Sequence, residues 1–475
     1  MDQSKRAFNK NARGAKNNRT PRRNRQAHIN DVQTLDNGAK LSVQHRPDKS
    51  GHMHAAIIVR AGSDFDPKEQ SGLAHFLEHI LPNPYTNHDF RALGGDIALS
   101  TGGDAVIIEL YLPDEDDNAD FLFETVNWIL SNTTVDLDQI ESERKRIINE
   151  IGMLLDNAEE TTQIPAIAHN HGKRRMHLGS LGTKDIVREI SEHDLIAFKK
   201  KHYCGRNISA YFSTPNKGAL RTFKKRAEQA LTEGIKAGQR AEFAQLAYEQ
   251  IDKNLFNDRL SQHYFNIAVP YESVDFKISL LADVIEKYLE LRLEKLMIFG
   301  GPYTYATDVY VSEERSAFDK ASQQGDGYVF FEGNVTPEDN FDILPIIANI
   351  IAEMATQPDQ DDLETALSDM MDDFRGGYTA YMDGRSAAEM AADIANDGQI
   401  RSPKRTKDML QSFTAADIID FTRSNLLVNI PSIFSYGDNQ DFGTGLELKS
   451  MIEERVITFD NNNAPQLKRG RSGPR

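Results

Sequence analysis

Residues 72–79 read Gly-Leu-Ala-His-Phe-Leu-Glu-His, and this run constrains the fold more than any other stretch of the chain. Residues 72–81 are expected to form a short helix that Pro82 and Pro84 stop. On that helix His75 and His79 stand one turn apart, their imidazoles about 6 Å apart on one face. Glu78 lies beside the same face, while Phe76 and Leu77 point to the opposite, core-facing side. One face therefore needs a core, and the other gathers two imidazoles and a carboxylate. This spacing suits two ligands of one tetrahedral metal ion, with Glu78 free to reach a neighbouring water.

A catalytic zinc needs a third protein ligand and an open fourth position. The stretch Glu143-Arg144-Lys145-Arg146-Ile147-Ile148-Asn149-Glu150 falls in an expected helix over 137–156. Glu143 and Glu150 are two turns apart and share a face, so one can bind the metal while the other orients a ligand histidine or the water. The single cysteine, Cys204, excludes thiolate zinc clusters and an internal disulfide framework. It reads as a buried, inert thiol and suits a reducing compartment, so the cytoplasm is the expected location.

A length of 475 residues implies two or three domains. A composition of 39% hydrophobic and 27% charged residues is that of a globular protein. No run approaches the roughly 20 apolar residues of a transmembrane span, and the first thirty residues hold no apolar core of a secretory signal. The net charge of -17 is unevenly spread: residues 1–25 carry nine Lys or Arg against one acid, Asp2. Residues 1–30 are expected to be a disordered basic tail, with an organelle-targeting segment as the alternative. The acidic body argues against nucleic acid as a partner.

Strand-like runs at 39–43, 55–59 and 105–112, with helices over 117–131 and 137–156, make up an expected first domain over 31–237. Residues 217–250 read as a charged helical connector, with the linker itself at 238–253. A second domain over 254–460 opens with a strand at 264–269 and an amphipathic helix over about 274–297. Strands near 303–312 and 327–333 follow, then a helix capped by Thr336 with Pro337 at its first position. Residues 461–475 are an expected disordered tail. No short-period repeat is present, which excludes a solenoid. His88, His169 and His171 read as solvated loop histidines. Asp114-Glu115-Asp116-Asp117 and Asp359-Gln360-Asp361-Asp362 read as solvated loop and helix-start charge.

The run His75-x-x-Glu78-His79, followed about seventy residues later by Glu143-Arg144 and Glu150, resembles the pitrilysin family of inverzincin zinc metallopeptidases, which includes insulin-degrading enzyme and the mitochondrial processing peptidase. Arg60-Ala61-Gly62-Ser63 is similar to the strand end before the family's motif. Leu178-Gly179-Ser180-Leu181-Gly182-Thr183, then Ile186, Ile190, Asp194-Leu195, Phe198, Tyr203 and Asn207, follow its pattern after the glutamate helix. Gly300-Gly301-Pro302-Tyr303-Thr304-Tyr305 resembles the segment that bears a substrate-binding tyrosine. The match covers roughly residues 31–455.

The resemblance implies zinc held by His75, His79 and Glu150, with Glu78 as catalytic base and Glu143 as supporting acid. It implies an α+β fold of two homologous sheet-plus-helix domains, of which the second lacks the metal motif. It also implies an endopeptidase acting on short or unfolded peptides, bound as an added edge strand in a chamber formed by a homodimer or a heterodimer with a related chain. Tyr303, Tyr305 and the position of Ala98 are the implied substrate contacts. Two departures stand out. Leu296 occupies the place of an Arg seven residues before Tyr303, with Arg292 one turn earlier as a candidate substitute. Ala98 replaces the Asn of the family's edge strand in Gly95-Asp96-Ile97-Ala98-Leu99-Ser100-Thr101. Both fall on substrate contacts and motivate the alternative of a weakly catalytic or non-catalytic peptide-binding or assembly subunit.

Overall fold

The computed structural model describes residues 32–47, 50–156, 179–242, 250–272, 275–298, 307–313, 327–336, 340–372, 374, 385–437 and 442–463. The basic segment 1–30, His169, His171, Tyr303, Tyr305 and Pro337 lie outside them. Two mixed sheets organise the chain, each with helices packed on it. The first holds β1 (Val32–Thr34), β2 (Lys40–His45), β3 (His52–Val59), β4 (Asp96–Thr101), β5 (Val106–Pro113) and β6 (Ile208–Thr214), in the order β1-β2-β6-β3-β5-β4. The second holds β7 (Asp252–Phe256), β8 (His263–Tyr271), β9 (Thr307–Glu313), β10 (Gly327–Val335) and β11 (Ser432–Gly437), in the order β7-β11-β8-β10-β9.

The two orders are one permutation. β2 to β6 map in sequence onto β7 to β11, and the one parallel pairing recurs in the same place, β2 with β6 and β7 with β11. Every other pairing is antiparallel. The chain is thus an α+β duplication, as the sequence implied.

Alternation explains why some strands are legible and others are not. In β3, Ala55, Ile57 and Val59 face the main core of the first half, where they meet Phe76, Leu122, Ile147 and Phe212. Ala56 and Ile58 face the other side and are equally buried. What covers them comes from the second half: the helix Ala387–Asp397 lays Met390, Ala391 and Ile394 against Ala56, Ile58 and Tyr211. Ser386 and Glu389 form a capping box at its start, and Gly398 ends it in the left-handed region. Asp393, 2% exposed, pairs with Arg385 at 2.7 Å and Arg401 at 3.1 Å, so both flanks of the helix are tied to its middle. Lys40 Nζ donates to the Ile394 carbonyl at 3.4 Å, which adds a polar tie to the first sheet.

Several expectations are corrected. Among the described residues of 217–250, the expected charged connector, the helix is Leu220–Thr232, and it belongs to the first domain's core. Its Phe223, Ala227, Ala230 and Leu231 recur at helical spacing and are buried, an apolar stripe hidden among Lys and Glu. The acidic group at 359–362 is not all solvated: Asp362 is 2% exposed and pairs with Arg292 at 3.2 Å and with Lys295. Arg292 also bonds Glu353 at 2.6 Å, so its guanidinium is committed to this network. Leu296, in the π-helical turn Glu294–Ile298, packs on the core of the second half. Cys204 is buried, as expected, and His88 is exposed, though it lies on the helix Asn87–Ala92 and not in a loop. The final helix, Gly445–Asn463, runs past the expected end of order at 460. Among the described residues no helix is long and apolar enough to cross a membrane.

Two predictions follow from the packing. Ile394 is fully buried between the halves, so Ile394→Ala should cost about 2–5 kcal/mol, read as a lower chemical-denaturation midpoint. His202 is 3% exposed, with ring centroids 4.5 Å from Phe198 and 5.3 Å from Phe65, and neither ring nitrogen has a partner among the described residues. Burial, with a smaller contribution from Lys201, lowers its pKa from 6.5 to about 4. Between those values the unfolded chain binds the proton and the folded chain does not, so stability falls as pH drops through that window. His202→Phe should remove up to about 3 kcal/mol of that fall, seen as a flatter dependence of unfolding free energy on pH from 6.5 to 4.

Candidate metal centre

The helix Leu73–Ile80 carries the run His75-Phe76-Leu77-Glu78-His79, and three elements hold it in place. Phe76 is fully buried and Leu77 is 1% exposed, so this helix is anchored from the side opposite its histidines. At its start, Gly72 has φ +92°, and a Cβ there would stand 2.5 Å from the Leu181 carbonyl oxygen. Gly182, at φ +70°, would meet the Ser71 carbonyl oxygen in the same way. Two glycines thus let the 179–183 turn abut the helix N-terminus.

Asp66 completes the cap: its carboxylate accepts from the Gly72 N–H at 2.7 Å and the Ala74 N–H at 2.8 Å. Burial pushes its pKa up to about 8, against the pull of these N–H donors. Sequence reading passed over Asp66. The available signal was an acid a few residues ahead of a helix that lacks a Ser or Thr cap.

The glutamate helix, Leu137–Leu155, packs alongside through Ile140, Ile147 and Ile151. Arg144 locks the pair together. Its guanidinium lies 5.1 Å from the centre of the Phe76 ring and donates to the carbonyls of Val187 and Ile190, the latter at 2.8 Å. On the facing side, His79 Nδ1 stands 3.2 Å from Glu143 Oε2. An ionised carboxylate only accepts, so this bond places the proton on Nδ1 and leaves Nε2 a lone pair.

That lone pair meets the ring of His75. The two Nε2 atoms are 3.3 Å apart, with the rings at 77° to each other. Glu150 brings one oxygen to 3.6 Å from His79 Nε2 and the other to 3.9 Å from His75 Nε2. His75, His79 and Glu150 each offer one ligand atom, all within 4.8 Å of one another. Zinc–nitrogen bonds of 2.0–2.1 Å at a tetrahedral angle require nitrogens about 3.4 Å apart, so the donor set fits an ion of that size. Burial and the neighbouring His79 lower His75 to a pKa of about 3, keeping it neutral as a ligand must be. Side-chain exposure rises from 9% at His75 to 21% at His79 and 45% at Glu150, so the open side lies towards Glu150.

Glu78 stands at the rim of this cluster. Its pKa is raised, first by burial and also by the charge of Glu150, while a hydrogen bond from Thr101 opposes the shift. Thr101 Oγ1 donates to Glu78 Oε2 at 2.8 Å, a contact to which sequence reading gave no role. Ala98 is not part of the cluster: on β4 Ile97 is buried and Leu99 and Thr101 are half-buried, while Ala98 is exposed. Strand parity puts its side chain on the face opposite Thr101. Glu143, by contrast, meets His79 directly.

Residues 43–180 match the family model for insulinase, peptidase family M16. An uncharacterized zinc protease of Rickettsia bellii is 22% identical over 409 residues, covering 82% of this chain and 93% of the relative. A probable mitochondrial-processing peptidase subunit beta of Arabidopsis thaliana is 27% identical over 183 residues, 36% of this chain and 33% of the relative. Among solved structures, a peptidase M16 inactive domain from Pseudomonas fluorescens superposes with a TM-score of 0.73 at 16% identity, covering 86% of this chain and 98% of that one. With the two-sheet duplication and the histidine helix already in view, the chain resembles the M16 peptidase family of insulinase and pitrilysin type, whose model matches its residues 43–180.

Proposed function

We propose that the protein is a zinc-dependent endopeptidase that cleaves short or unfolded peptides. The observation that carries this reading is the pair of imidazole Nε2 atoms 3.3 Å apart with the Glu150 carboxylate beside them and a second carboxylate, Glu78, on the same helix. Zinc held by His75, His79 and Glu150 would supply positive charge that polarises a scissile carbonyl and acidifies a water. The chain's own groups do the rest. Glu143 accepts a hydrogen bond from His79 Nδ1–H and so fixes which nitrogen would face the ion. Glu78 takes a proton from the attacking water and returns it to the leaving amine, a role for which burial, by raising its pKa, prepares it.

β4 ends at Thr101, beside Glu78, and is the outer strand of the first sheet. An extended peptide added to its free edge would run past the base, with main-chain hydrogen bonds supplying affinity independent of sequence. In this reading a second copy or a related chain completes the chamber.

A second reading is a non-catalytic or weakly catalytic peptide-binding subunit of a paired assembly. It is favoured by Leu296, which packs on a core, and by Arg292, committed to Glu353 and Asp362. Neither side chain is left to grip a peptide carbonyl.

Cleavage of a quenched-fluorescent peptide mixture by zinc-loaded protein, run beside Glu78→Gln, separates the two. The peptidase reading expects one zinc per chain in both proteins by elemental analysis, and at least a thousandfold loss of turnover in the variant. Equal turnover sinks the assignment of Glu78, and peptide binding without turnover in either protein supports the second reading.

A further inference from the structure

We infer that Thr101 is the positioning residue for Glu78: its hydroxyl, presented by the last residue of β4, fixes the orientation of the carboxylate beside the metal cluster. This rests on the peptidase reading for its consequence in rate, but not for its geometry. The contact is Oγ1 to Oε2 at 2.8 Å, an O–H···O hydrogen bond of ordinary length.

Nothing else among the described residues donates a hydrogen bond to the Glu78 carboxylate. His79 and Glu150 act on it through charge alone, one favouring and one opposing ionisation. A glutamate has three side-chain torsions, and on a helix rim it samples several of them unless something selects one. The hydroxyl selects by holding Oε2, which leaves Oε1 as the free oxygen.

The donor is itself well anchored. Thr101 pairs with Val106 in the β4–β5 ladder, and Ile97, on the same face, is buried in the core. A β-branched side chain on a strand has restricted χ1, so the hydroxyl direction is set by the backbone. Because β4 is the outer strand, anything that pairs with its free edge also stiffens the residue that aims the base. Strand addition and base alignment are thereby coupled through one hydroxyl, a link that no zinc ligand provides.

The test compares Thr101→Val, which keeps the shape and removes the donor, with Thr101→Ser, which keeps the donor and removes a methyl. Thr101→Ala is the second donor-less variant should Val prove not to fold. The expected result is a kcat lower by about tenfold to a hundredfold for Val or Ala. KM and zinc content should be unchanged, and Ser should restore most of kcat. A donor-less variant with the turnover of wild type overturns the inference, as does a Ser variant as slow as Val, since that pattern marks packing. Crystal structures of wild type and the donor-less and Ser variants give a readout independent of cleavage. The Glu78 carboxylate should rotate away from its wild-type orientation in Val or Ala and keep it in Ser; an unmoved carboxylate in the donor-less variant overturns the inference. If wild type cleaves nothing, the peptidase reading fails alone, and the carboxylate orientations still decide the role of Thr101.

Discussion

Everything at the candidate centre depends on the burial of Phe76 and Leu77. The helix that bears them has eight residues, too few to be stable by itself in water. It stays helical because these two side chains fill the core of the first half, and because Asp66 and Arg144 tie its two flanks to other elements. The two imidazole Nε2 atoms stand 3.3 Å apart, close enough to share a proton or to bind one ion. Apolar packing on the far side holds them there. The geometry of the polar face is set by the hydrophobic one.

The second half shows what the same plan becomes without that face. Its five strands repeat the order and senses of the first, so the architecture needs no metal. The buried Asp362 of this half is matched internally: Arg292 and Lys295 answer it, and Arg292 also answers Glu353. Such a network satisfies buried charge and leaves little of it free for a ligand. The duplication therefore separates two tasks, one half presenting ligand atoms and the other presenting a finished core.

Legibility in the sequence followed the number of faces an element buries. The helix over 72–81 and the helix over 137–156 could be read because each has one polar face, and the two-turn spacing of Glu143 and Glu150 put both carboxylates on one side, while their separate roles came only from the resemblance. β6 was missed: all seven residues of Ile-Ser-Ala-Tyr-Phe-Ser-Thr are buried, so no alternation remains to be seen. The helix Ala387–Asp397 was missed although Ser386, Glu389 and Gly398 mark both its ends. Asp66 and Thr101 were invisible for another reason. Each acts on the histidine helix from outside it, and a contact between a loop acid or a strand hydroxyl and a helix carries no periodic signal. Ala98 was drawn in by pattern as a substrate contact, and it stands exposed on β4, on the face opposite Thr101.

The crossing of Ala387–Asp397 onto the first sheet makes the two halves unequal to two separable modules. A shortened chain ending at the linker would keep His75, His79 and Glu150 yet lay bare Ala56, Ile58, Ala105 and Tyr211, an apolar sheet face now sealed by Met390 and Ile394. Exposed, such a face invites self-association, because sheets with one uncovered apolar side recruit another layer. The second half thus covers this face of the first against water. This interlock gives a physical reason for the two segments to stay in one polypeptide.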